Sequence, residues 1–76
     1  MATSYVMTRG FTAICKQRGD WWIGWVEEVP GVNAQERTKE ELMVSLREAL
    51  DEVIEMNRES ARSLADGDFI EEPLVA

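Results

Sequence analysis

The residue pattern predicts an α+β domain: a three-stranded antiparallel sheet with one long helix packed on one face. Three observations lead there. Two runs rich in β-branched and aromatic residues flank Arg18-Gly19-Asp20, a turn signal in which glycine can take positive φ. Thr38-Lys39-Glu40-Glu41 has the form of a helix start, since Thr38 and Glu41 stand three apart as in a capping box. Beyond it, apolar residues recur every three or four positions.

The elements follow in order. Residues 1–9 are short and mixed, and read as a ragged terminus or as a strand beginning near Tyr5. Residues 11–17, "FTAICKQ", form the first strand, and residues 21–29, "WWIGWVEEV", return antiparallel to it. Pro30-Gly31 ends the second strand, because proline donates nothing to a ladder. Residues 32–37, "VNAQER", supply a short third strand. The helix stripe then runs Leu42, Leu46, Leu50, Val53, Ile54 and Asn57, and continues through Ala61 and Leu64. Arg47, Glu48, Asp51, Glu52, Glu55 and Glu59 take the opposite face. Gly67 is a natural stop, and a bend or break is weighed near Asn57 or Ser60. Residues 69–76, "FIEEPLVA", have room for a fourth short strand or an extended tail.

A chain of 76 residues is read as one domain, residues 1–76. At this size the fraction of surface buried is small, so tight packing or a partner subunit is expected to support the fold. Cys15 is the lone cysteine and there is no histidine. An internal disulfide is therefore impossible, and no metal or cofactor is expected. The formal net charge is −7, with all fifteen carboxylates at or beyond Asp20. That balance disfavours phosphate backbones, so no direct nucleic-acid binding is expected, and it favours a basic protein partner. No run is long and apolar enough for a signal core or a membrane span, so a cytoplasmic protein is expected.

Strand alternation assigns two apolar faces. Trp21, Ile23 and Trp25 share one side of the second strand; Trp22 and Val26 share the other, with Gly24 between them. One helix covers one face. The reading adopted leaves Trp22 and Val26 as anchors on the second face, covered by the tail, by another copy or by a partner. Glu28 rims them, and Glu27 and Glu36 mark the neighbouring edge. These five residues are the candidate partner-binding set. A homo-oligomer, most simply a two-fold dimer, is expected from the same second face.

The catalytic options are poor. No P-loop, dinucleotide fingerprint or calcium loop is present, and neither Cys15 nor any serine has a histidine base. The pairs Glu27-Glu28, Glu40-Glu41, Asp51-Glu52 and Glu71-Glu72 read as solvated charge, with a divalent-metal nuclease as the enzymatic alternative. No enzyme is expected.

The ordered set "EEVPGV", "NAQ", "TKEE", an amphipathic helix, and Asp-Gly followed by "FIEEP" resembles the HicB-like antitoxin family over roughly residues 11–73. The resemblance implies a partial ribonuclease-H-like fold without nuclease activity. It also implies a partner: a small basic mRNA-cleaving toxin of the HicA-like kind, whose active surface the antitoxin masks. Many members carry a C-terminal DNA-binding domain; no such pattern follows here, so a short stand-alone member is expected. The alternative is an orphan self-associating module with no toxin.

Overall fold

The computed structural model describes residues 10–74. Its elements are β1 (Ala13–Arg18), β2 (Trp21–Val26), β3 (Asn33–Glu36) and α1 (Lys39–Ala65). The sheet has the order β1-β2-β3 with both pairings antiparallel, and α1 lies on one face. The α+β class with a three-stranded sheet and one long helix is therefore as the sequence predicts. The expected strand near Tyr5 lies outside the described residues.

The hairpin closes through Gly19, whose φ of 60° suits glycine. The register pairs Ala13 with Val26, Cys15 with Gly24 and Gln17 with Trp22, while Ile14 faces Trp25 and Arg18 faces Trp21. The second strand stops at Val26, three residues before the expected Val29. Glu27 to Gly31 turn instead, and Gly31 at φ 91° completes the turn. Across it, Val26 N–H donates to Val32 C=O at 3.0 Å, so the turn is tied at its base.

The helix begins where the capping pattern puts it. Thr38 has extended backbone, and its Oγ1 accepts from the Glu41 backbone N–H at 3.1 Å. The reciprocal contact differs in detail: the Thr38 hydroxyl also lies 3.2 Å from the Glu41 carboxylate, which takes the hydroxyl rather than the Thr38 amide as its partner. Glu40 and Glu41 sit in the first turn, where the helix dipole favours negative charge. No break occurs near Asn57 or Ser60; the helix is continuous for 27 residues. It ends on Asp66 (φ 48°) and Gly67 (φ 86°), so the expected stop at Gly67 is realised with its neighbour also in the left-handed region.

Leu42, Leu46, Val26 and Val32 form the core, and Leu42 is wholly inaccessible. Ala13, Cys15, Trp22, Ala34, Leu50 and Val53 pack against it. Leu50 and Ile54, expected in the core with Leu42 and Leu46, are half-buried because the sheet is short and the helix runs past it. At 1.5 Å per residue, α1 is about 40 Å long, and roughly 20 Å of it lies beyond Val53. That overhang also explains the missing fourth strand. Residues 69–74 form no strand. An unbroken helix delivers the tail far from the sheet edges, where Glu71 pairs with Arg62 at 3.4 Å instead.

Candidate functional site

The face that α1 covers is the one carrying Trp22, Gly24 and Val26. This corrects the expectation that Trp22 and Val26 stand on the uncovered face as partner anchors. Val26 is 5% exposed and belongs to the core; Trp22 is half-buried against it. The physical reason is Gly24. A Cβ built there would meet the Ile14 backbone oxygen at 2.7 Å, Leu42 Cδ2 at 3.0 Å and Leu46 Cδ1 at 3.2 Å. The missing side chain is the notch that seats the two core leucines. Ala13, Cys15 and Ala34 extend the same small-residue floor. Helix and sheet approach closely only where the sheet side chains are short.

The three glutamates of the candidate set are not gathered into one surface either. Glu36 is half-buried, and its Oε2 accepts from Ser45 Oγ at 2.6 Å, which fastens β3 to the helix. Glu28 Oε1 accepts from the Thr12 backbone N–H at 2.7 Å, while Glu27 N–H donates to Thr12 C=O at 2.8 Å. These two bonds lock the β2–β3 turn to the start of β1. Glu28 and Glu36 thus act first as internal fasteners, and the Glu27 side chain is exposed beside them.

The hydrogen bond from the Thr12 backbone N–H holds the Glu28 carboxyl below its ordinary value near 4.5, with a lesser contribution from the Thr12 hydroxyl. A depressed folded-state value means the ionised group stabilises the fold above the unfolded-state pKa. That contribution is lost as pH falls through the folded-state pKa. Glu28→Gln is therefore expected to lower Tm near neutral pH, with the gap from the parent protein narrowing in acid. Thermal melts from pH 7 down to pH 3 check it; a gap that is constant with pH would show that the charge is immaterial.

Among the described residues, two exposed surfaces stand out. One is the outer stripe of α1. Glu48, Asp51, Glu52, Glu55 and Glu59 are all exposed and fall at helical spacings of three and four, opposite the core leucines. Val44 lies on the same stripe and is exposed. The other is the open sheet face, which carries Ile14, Lys16, Arg18, Trp21, Ile23, Trp25, Asn33 and Gln35 by alternation. Trp21 and Trp25 are 37% and 42% exposed, and the Arg37 guanidinium lies 4.0 Å from the Trp21 ring centroid. Sequence reasoning placed the helix carboxylates correctly away from the sheet and missed the open face. The signal it had was the glycine at position 24, which marks the side a helix can approach.

A cleft of about 250 Å3 between the start of β1 and the helix is lined by Phe11, Ala13, Val26, Met43, Leu46 and Leu50, with Thr12 and Arg47 as its polar members. Cys15 is half-buried, with its Sγ 3.7 Å from Met43 Sδ, a contact between two soft sulfur groups rather than a reactive pair. Among the described residues, no group of three carboxylates or thiols is placed to hold a metal ion. None of their helices is long and apolar enough to cross a membrane. No family model, no curated protein and no solved structure matches this chain.

Proposed function

We propose that the protein is a HicB-like antitoxin module that docks on a small basic mRNA-cleaving toxin and masks its RNA surface in the cytoplasm. The observation that carries the reading is the acidic stripe of α1. Glu48, Asp51, Glu52, Glu55 and Glu59 stand in one exposed row on one continuous helix, with Arg62 3.9 Å from Glu55 at its far end. An RNA-cleaving protein must present cations to a phosphate backbone. Carboxylates in a row take the place of those phosphates, so binding and inhibition are one event. Val44 supplies an apolar contact inside the row, and Glu27 adds charge at the end of the sheet. The ordered motifs from "EEVPGV" to "FIEEP" supply the partner class through their resemblance to the HicB-like family, whose partial ribonuclease-H-like fold the reading adopts. No catalytic role is assigned to this chain.

Exposed carboxylates act mainly on the rate of encounter, and salt screens them. Glu48→Lys, Glu52→Lys and Glu55→Lys together are expected to slow association with such a toxin by about tenfold or more at low ionic strength. The difference should shrink as salt is added. The test is co-expression with the small basic gene product encoded beside this one, followed by co-purification and stopped-flow association. A growth-arresting neighbour that neither co-purifies nor is neutralised overturns the reading. A second reading, a self-associating module without a toxin, is favoured by the exposed Trp21 and Trp25 on the open sheet face.

A further inference from the structure

The open sheet face and the acidic tail have opposite chemistry. At the outward strand positions, from Ile14 through Trp25 to Gln35, there is no carboxylate. Lys16 and Arg18 are exposed there, and Arg37 stacks on Trp21. A chain of formal charge −7 thus presents one locally cationic, aromatic surface. The acidic stripe lies on the far side of the helix layer, and sheet and helix alone are separated by about 10 Å, beyond a Debye length of about 8 Å in physiological salt. Asp20, in the hairpin turn beside Arg18, is the carboxylate next to this face, and the three cations outnumber it.

Packed face to face, two such surfaces would bring six cations, Lys16, Arg18 and Arg37 from each copy, into one contact with no outward strand carboxylate to offset them. The occupant has to be apolar and anionic. Residues 66–74 answer that description. Phe69, Ile70 and Leu74 are exposed, Ile70 at 85% and Leu74 at 100%, and Asp66, Asp68, Glu71 and Glu72 stand among them. Pro73 holds Glu72 extended. On its own helix this segment is held by the Arg62–Glu71 pair and by a shallow groove in which Phe69 and Ile70 meet Arg58, Ala61 and Ala65. The pair is largely exposed and Ile70 stays 85% exposed, so this hold is worth little.

The tail cannot lie across its own sheet. Gly67 is about 20 Å beyond the last helix residue packed on the core, and the seven residues to Leu74 span at most about 25 Å. That length is consumed in returning along the helix, with none left to pass around the sheet edge. A second copy has no such constraint. We infer that two copies of the chain exchange tails, the segment 66–74 of each lying across the Trp21–Trp25 face of the other. Phe69, Ile70 and Leu74 then cover the tryptophans, Ile14 and Ile23. Asp68, Glu71 and Glu72 meet Lys16, Arg18 and Arg37. Reciprocity closes the assembly at two copies. The inference does not depend on the toxin reading and leaves the acidic stripe of α1 outside the contact.

The test is a charge swap in the full chain, read by sedimentation equilibrium and tryptophan emission, with circular dichroism reporting that each variant folds. The parent protein should be a dimer at micromolar concentration with blue-shifted emission. Lys16→Glu with Arg18→Glu should weaken association by about tenfold or more, and so should Glu71→Lys with Glu72→Lys. All four changes together should restore the dimer, which a merely damaged fold would not do. A monomeric parent overturns the inference. So does a dimer indifferent to both pairs, which would place the contact elsewhere. Emission quenched by a single-stranded oligonucleotide with no self-association would assign the face to nucleic acid instead.

Discussion

Leu42→Ala is expected to cost roughly 2–5 kcal/mol, with Leu46→Ala close to it. Both leucines are buried, and they seat in the notch over Gly24 with Val26 and Val32 as their neighbours. A core of four buried side chains has no spare packing to collapse into the cavity, which favours the upper part of that range. At about 0.05–0.15 kcal/mol per residue, a domain of this length holds only about 4–11 kcal/mol in total. Leu42→Ala should therefore remove a large share of the stability and leave a measurable unfolded fraction at 25 °C. Leu50→Ala should cost less, because Leu50 is only half-buried. Denaturant melts at constant m-value give the comparison. Losses below about 1 kcal/mol at both Leu42 and Leu46 would mean that the helix sits on the sheet differently.

The second large effect is expected at Gly24. Adding one methyl there puts carbon 2.7 Å from the Ile14 carbonyl oxygen, a backbone atom that cannot swing aside. The leucine methyls at 3.0 and 3.2 Å are side-chain ends and can yield by a few tenths of an ångström, so the backbone oxygen sets the cost. Gly24→Ala should cost roughly 1–3 kcal/mol through overpacking, and Gly24→Val more. The cost is steric rather than conformational, since Gly24 is not among the glycines at positive φ. Gly19→Ala is the natural control: its Cβ would meet nothing within 4 Å, but its φ of 60° strains any side chain. If Gly24→Ala melts like the parent protein, the close approach of helix and sheet is not what holds the layers together.

Much of the fold was readable from residue chemistry. The hairpin followed from β-branched runs around Gly19, the helix start from Thr38 and Glu41, and the core stripe from Leu42 and Leu46. The face assignment was not. Alternation says that Trp22 and Val26 share a side; it does not say which side a helix takes. Bulk was the misleading cue, because both sides of β2 carry tryptophan. Closeness of backbone decides the matter, and it is written in the small residues Ala13, Cys15, Gly24 and Ala34, which share one face. Sequence alone makes Glu36 a charge on the neighbouring edge, because its partner, Ser45, lies across a strand-to-helix connection that only the folded chain brings together. The fourth strand failed on length: the helix runs on to Ala65, so the tail starts in the wrong place to pair.

The helix overhang has a thermodynamic consequence. Leu42 and Leu46 are buried against the sheet, so their amides are expected to open to solvent only when the whole domain unfolds. From Met56 to Leu74 every residue is exposed, and beyond the helix's own hydrogen bonds only exposed contacts, the Arg62 pairs with Glu55 and Glu71 and the shallow groove holding Phe69 and Ile70, resist unwinding. A segment of about ten such residues is too short to be stable as an isolated helix, so it is held by propagation from the packed half. One continuous element thus contains two cooperative units of unequal depth: an anchored base with global protection and an outer arm that frays locally. Whatever grips the arm orders it, and by linkage the free energy of that grip is added to the stability of the arm rather than to that of the core.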